Sequence, residues 1–216
     1  MKTRIAIIGA GGFAREVAWL LKDINAKVPS YTFCGFLVSD LTKLGSGDSQ
    51  ELVLGDFDWL EANLGEIDAL VFGIGNPGIK ERLANELLRR FPHLSWPSLV
   101  HPTVQFDADT VQMGKGVVLC AGTVATVGII FRDFSMVNLM CTIGHEAVIG
   151  PYAVLNPMVN ISGGVEVGSG VLVGTGAQIL QYVKVGEGAT VGAGALAARD
   201  VAPGQTVVGI PARPRL

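Results

Sequence analysis

At 216 residues the chain is long enough for two modest domains or one large one. A net charge of −3, with 16% charged residues and no block of like charges, argues against a nucleic-acid or polybasic membrane surface and leaves small molecules and further copies of the chain as partners. The 49% hydrophobic content is broken into short segments, none reaching the ~18 residues of a membrane span. The apolar N-terminal stretch runs into a glycine loop without a signal-peptide cleavage site, so a soluble, cytoplasmic protein is expected.

Arg4 to Gly9 is a continuous apolar run suited to a buried parallel strand, and it ends in Gly9-Ala10-Gly11-Gly12. A helix follows, with Phe13, Val17, Leu20, Leu21 and Ile24 on one apolar stripe. Tyr31 to Val38 reads as a second strand, Asp56 to Leu64 as a short helix and Ile67 to Gly73 as another buried strand. Asn76 and Pro77 open a helix through Phe91, asparagine as cap and proline at the first position. Strands alternating with helices of this size predict a small α/β, Rossmann-like unit with a parallel sheet.

The loop Gly9 to Ala14 fits the loose dinucleotide fingerprint, with alanine in place of the last glycine. Small residues let a phosphate approach the backbone, and the helix that follows offers free N–H groups and the positive end of its dipole. A nicotinamide dinucleotide would want an acidic residue about 20 positions further on to hold its ribose. The acidic residue at the next strand end, Asp40, is about 30 residues away, which favours another phosphorylated ligand or a plain tight turn.

From Met113 to Ala197 every sixth residue is apolar, fifteen positions without a slip. Two residues earlier runs a second column of small or β-branched residues, Val111 to Ala195, and just after the first come Gly114, Asn138, Gly144, Gly150, Asn156, Ser162, Gly168, Gly174, Gly186 and Gly192, types that tolerate turns and positive φ. No α-helix spaces apolar residues this way. The pattern is a hexapeptide repeat, the signature of a parallel β-helix stabilised by stacking coil on coil. Three units close one coil, so residues 18 apart lie one above the other, in about five coils. The expected organisation is an α/β domain over 1–98 and a β-helix over 99–216.

Of three histidines only His145 lies in the regular repeat; it projects from a corner beside Glu146, an arrangement suited to a general base and equally found as surface decoration. Asn138, seven residues earlier, is a candidate for orienting the same site or an ordinary turn residue. A three-histidine zinc site cannot be assembled from one histidine, so no metal is expected. Cys34, Cys120 and Cys141 share no metal spacing and read as packing thiols.

Gly9 to Glu16, then Phe72-Gly73-Ile74-Gly75-Asn76, then the hexapeptides around Gly144-His145-Glu146, then Gly209-Ile210-Pro211-Ala212-Arg213 occur in that order. In this order of motifs the whole chain resembles bacterial sugar acetyltransferases of the nucleotide-aminosugar N-acetyltransferase and sialic acid O-acetyltransferase type. The resemblance implies a left-handed coil, a cytoplasmic homotrimer with active sites between subunits, and direct acetyl transfer from acetyl-CoA to the 4-amino group of a nucleotide-linked aminodeoxysugar. It implies His145 as base, Glu146 as its polarising carboxylate, and Gly163, one coil on, as the backbone donor to the thioester carbonyl. Thr175, Ala193 and Arg213 would meet the coenzyme. Gly11, Gly12, Phe13, Ser39, Asp40, Gly75 and Asn76 would hold the sugar nucleotide. Two departures stand out: Val154 replaces a coenzyme-contacting histidine of some relatives, and Ser39-Asp40 replaces a common acidic pair. O-acetylation of a sialic acid or related sugar, and a non-catalytic sugar-nucleotide-binding trimer, are the competing expectations.

Overall fold

The computed structural model of the protein describes residues 1–215. The chain forms two compact units: Met1–Gly75 with Ile79–Pro102, and Asn76–Gly78 with the chain from Thr103 on. In the first, β1 (Thr3–Ile8), α1 (Gly12–Lys27), β2 (Tyr31–Leu37), β3 (Val53–Gly55), α2 (Phe57–Ala62), β4 (Ala69–Phe72) and α3 (Pro77–Arg90) follow one another. The four strands pair in parallel in the order β3-β2-β1-β4. β1 and β4 are flanked on both faces, which is why Ile5 to Ile8 and Ala69 to Phe72 are apolar without alternation. β3 escaped the sequence pattern because three residues are too few to display a period.

α1 buries Ala14, Val17, Leu20 and Leu21, whereas Phe13 and Ile24, placed on its stripe by spacing, are only half-buried. α2 starts where Asp56 caps it, accepting from the N–H groups of Asp58 and Trp59. In α3 the inward stripe of Leu83, Ala84 and Leu87 also contains Lys80, which is 2% exposed. The Lys80 ammonium has no hydrogen-bond partner among the described residues. No helix among them is long and apolar enough to cross a membrane.

The second unit is a left-handed parallel β-helix. Two-residue strands recur every six residues from Gln112–Met113 to Leu196–Ala197, and each pairs in parallel with the strand 18 residues away, as Thr142–Ile143 does with Val124–Ala125 and Asn160–Ile161. The second residue of every strand is the apolar column read from the sequence. From Leu119 to Ala197 this column is buried, and so is its companion column from Val117 to Ala195. The core is therefore two side chains per hexapeptide directed inward.

The turn column needs a correction. Gly114, Gly144, Gly150, Gly168, Gly174, Gly186 and Gly192 do not have positive φ. They are glycine because a Cβ would strike the next coil: at Gly150 it would lie 2.6 Å from a Gly168 carbonyl carbon, at Gly174 2.8 Å from the Ala193 Cα. Positive φ falls two residues later, at Gly116, Gly122, Gly128, Phe134, Met140, Glu146, Tyr152, Met158, Gly164, Gly170, Gly176, Tyr182, Gly188 and Gly194. The left-handed conformation turns that residue's N–H along the coil axis, where it bonds the preceding coil, as Glu146 does to the Val127 carbonyl at 3.0 Å. Glycine adopts this φ freely; six positions carry side chains there despite the strain.

Candidate active site

His145 stands in the corner after Thr142–Ile143, its side chain half exposed and its Nδ1 3.7 Å from a Glu146 carboxylate oxygen. The carboxylate stands on the Nδ1 side of the ring, and Nε2 is turned toward Gly163. Glu146 reaches this position only by taking φ 62°. The imidazole lies against Gly163, one coil on: a Cβ there would collide with Nε2 and Cε1 and sit 2.9 Å from Cδ2. The 18-residue stacking thus brings His145, Glu146 and Gly163 together, and Gly163 is glycine because the imidazole occupies its side-chain space.

Gly163 also has a free donor. Its N–H meets no acceptor among the described residues, while Gly144 and Ser162 beside it bond Ile161 and Ile179. A base and an unpaired amide on one ledge can deprotonate an attacking group and receive the oxyanion that attack creates. Gly163→Ala should therefore lower kcat by about 10²-fold by pushing the ring aside, with little change in sugar-nucleotide KM. A fully active alanine variant would remove the ledge from the chemistry.

The remaining β-helix candidates lie elsewhere on one chain. Asn138, Thr175 and Ala193 belong to the corner that follows Met136–Val137, Leu172–Val173 and Thr190–Val191. Asn138 is buried, with Oδ1 accepting the Leu139 N–H at 2.7 Å, and within one chain it does not reach His145. Thr175 and Ala193 sit one coil apart, the Gly194 N–H bonding the Thr175 carbonyl. Cys141 is fully buried, and burial pushes its thiol up to about 11, consistent with a packing role. Val154 is buried as well.

Arg213, in the strand Arg213–Pro214 that pairs antiparallel with Thr206–Val208, lines a cavity of about 200 Å³ together with Arg199, Gln205 and Asp200. Arg199 was missed by the sequence reading, although the ruler that located Gly163 reaches it: 145, 163, 181 and 199 are each 18 apart. The pairing of Ile179 with Ala197 keeps Arg199 above Gln181. Three coils at about 4.8 Å each put it roughly 14 Å along the axis from His145.

In the α/β unit a cavity of about 170 Å³ opens at the carboxyl ends of the strands, lined by Ile8, Gly9 and Ala10 after β1, Val38, Ser39 and Asp40 after β2, and Ile74 after β4. This is the switch point of the sheet, where open α/β folds take ligands. Ser39 and Asp40 line it; Gly11, Gly12, Phe13, Gly75 and Asn76 do not. Gly11 caps α1 without a side-chain bond, so the first-turn N–H groups stay available to an anion. Asp40 is held at about 2 by the Thr42 hydroxyl, by Lys43 at 2.9 Å and by the Thr42 N–H. Lys43 and Asp48 also line the cavity, and Arg15 bonds the Gly47 carbonyl. None of these three carries a periodic signal. They meet because the segment after β2 folds back, the Ser49 N–H bonding the Ala10 carbonyl at 3.1 Å.

No group of three or more histidine, cysteine, aspartate or glutamate side chains among the described residues is placed to hold a metal ion.

Residues 4–87 match the family described as the PglD N-terminal domain. No curated protein sequence matches the chain. Among solved structures it is similar to PerB from Caulobacter crescentus in complex with CoA and GDP-perosamine, at 25% identity over 98% of this chain and 97% of that one, TM-score 0.85. It is similar to the acetyltransferase domain of PglB from Neisseria gonorrhoeae, at 28% identity over 99% of this chain and 100% of that one, TM-score 0.85. That domain is also known in complex with acetyl coenzyme A. WeeI from Acinetobacter baumannii matches at 29% identity over 99% and 100%, TM-score 0.82. Residues 4–87 thus carry a PglD-type N-terminal domain, and the chain with its hexapeptide coil is similar over nearly its full length to PerB, the PglB acetyltransferase domain and WeeI.

Proposed function

We propose that the protein transfers the acetyl group of acetyl-CoA to the 4-amino group of a nucleotide-linked aminodeoxysugar. The observation that carries this reading is the imidazole of His145 lying over Gly163, whose N–H is unpaired. The amine attacks the thioester carbon, its proton passes to His145 Nε2, and the carbonyl oxygen is held by the Gly163 N–H until the CoA thiolate leaves. Glu146 stabilises the imidazolium. No side-chain nucleophile is required, and the buried Cys141 is a poor one.

The α/β unit holds the nucleotide at the cavity beside Ser39 and Asp40, with the phosphates on the amides of Gly11, Gly12 and Phe13 and with Gly75 and Asn76 along the crevice. Arg213, joined by Arg199, takes the phosphates of the coenzyme, and Thr175 and Ala193 line its path from a neighbouring subunit of a homotrimer. Met140 and Met158, both largely exposed, offer apolar surface for that association. The residues 1–98 and 99–216 act as acceptor-binding and acyl-transfer domains, and the cytoplasm supplies both substrates.

The test is CoA thiol release with acetyl-CoA and a panel of UDP-, dTDP- and GDP-linked 4-amino sugars, with hydroxyl acceptors alongside. Thiol release only with amino acceptors is expected. Release only with hydroxyl acceptors would make it an O-acetyltransferase, and binding without release a scaffold.

A further inference from the structure

Among the described residues six side chains occupy the left-handed corner positions. Phe134 covers Gly116 and is buried, with Tyr152 stacked on it at 5.6 Å and 8°. Met140 covers Gly122, with Met158 at the equivalent corner of the next coil, and Glu146 serves His145. Tyr182 shares their φ, at 63°, but differs from the other two aromatic residues: it is 64% exposed and has no ring partner among the described residues. What sets it apart is an unstacked, exposed ring held in a backbone conformation that bulky residues disfavour.

Its position gives the reason. The Tyr182 ring lies over Gly164, where a Cβ would collide with Cδ1 and meet Cε1 at 2.5 Å. Gly164 follows Gly163, which lies beneath His145, so the two rings converge from neighbouring coils on adjacent glycines. The backbone fixes both: the Tyr182 N–H bonds the Gly163 carbonyl at 3.1 Å and the Gly164 N–H bonds the His145 carbonyl at 2.8 Å. Gly163, whose N–H is unpaired among the described residues, and Gly164 therefore lie between the imidazole on the preceding coil and the phenol on the following one.

We propose that Tyr182 is a contact residue for the acyl thioester, its ring receiving the sulfur and first methylenes of acetyl-CoA. The inference rests on the functional reading above. With the thioester carbonyl at Gly163 and the coenzyme phosphates at Arg199 and Arg213, the sulfur arm leaves Gly163 toward the next coil, where Tyr182 stands. Sulfur and methylene groups pack well on an aromatic ring.

Glycine adopts this φ without strain, so Tyr182→Gly removes the ring while favouring the corner's backbone, and Tyr182→Phe keeps the ring without the hydroxyl. Acetyl-CoA Kd is measured by calorimetry without sugar, and KM for both substrates by thiol release. Tyr182→Gly is expected to raise acetyl-CoA Kd and KM about tenfold and to leave sugar-nucleotide KM within about twofold, with Tyr182→Phe close to the parent. Unchanged acetyl-CoA binding in Tyr182→Gly, a change confined to sugar-nucleotide KM, or a loss in Tyr182→Phe equal to that in Tyr182→Gly would overturn the assignment. A parent protein that neither binds nor turns over acetyl-CoA would instead overturn the functional reading on which it rests.

Discussion

Replacing His145 with alanine is expected to lower kcat for acetyl transfer by about 10²–10⁴-fold, the range a positioned general base supplies. The side chain is half exposed at a corner, so its loss leaves no core cavity, and the thermal midpoint should hardly move. Because the ring covers Gly163 without forming part of the coil, acetyl-CoA should still bind. The measurement is the kcat and KM split in the thiol assay, with circular dichroism to verify the fold. Glu146→Gln should show a smaller loss in the same direction, since the amide cannot stabilise an imidazolium. Turnover by His145→Ala at the parent rate would dismiss the base.

The second large effect is on stability. Burial holds the Lys80 ammonium near 7, against 10.5 in solution, and it has no partner among the described residues. The sign follows from proton counts: between about pH 7 and 10.5 the unfolded chain binds the proton that the folded chain has released, so stability rises with pH across that window. Below pH 7 both states are protonated and the full penalty applies, up to about 5 kcal/mol by linkage. Lys80→Met, which keeps an unbranched chain on the inward stripe with Leu83, Ala84 and Leu87, should therefore raise the urea midpoint at pH 6–7. The advantage should shrink steadily as the pH approaches 10.5. A difference between variant and parent that stays constant over that range would show that the ammonium finds a counter-charge or water in solution.

Lys80 also marks a limit of sequence reading. Its inward placement could be read only once Leu83, Ala84 and Leu87 were seen to face the core, since a lysine followed by Glu81 and Arg82 looks like solvated surface. The same holds for Lys43 and Asp48, which join Asp40 at the cavity after β1 and β2 through a fold-back without periodicity. Asp40, by contrast, could be chosen from its place at the end of a strand.

The six-residue spacing determined the β-helix, its register and the 18-residue stacking, because inward direction is a local property of the chain repeated at a fixed interval. It therefore also placed His145 on a corner and Gly163 at the same corner one coil on. Tertiary structure decided which corner residue turns its backbone left-handed, which glycines are required by a neighbouring coil, and that His145 and Tyr182 converge on Gly163 and Gly164. Those features depend on hydrogen bonds and van der Waals contacts between coils, and a repeat in sequence carries the spacing of the coils but not what their side chains meet.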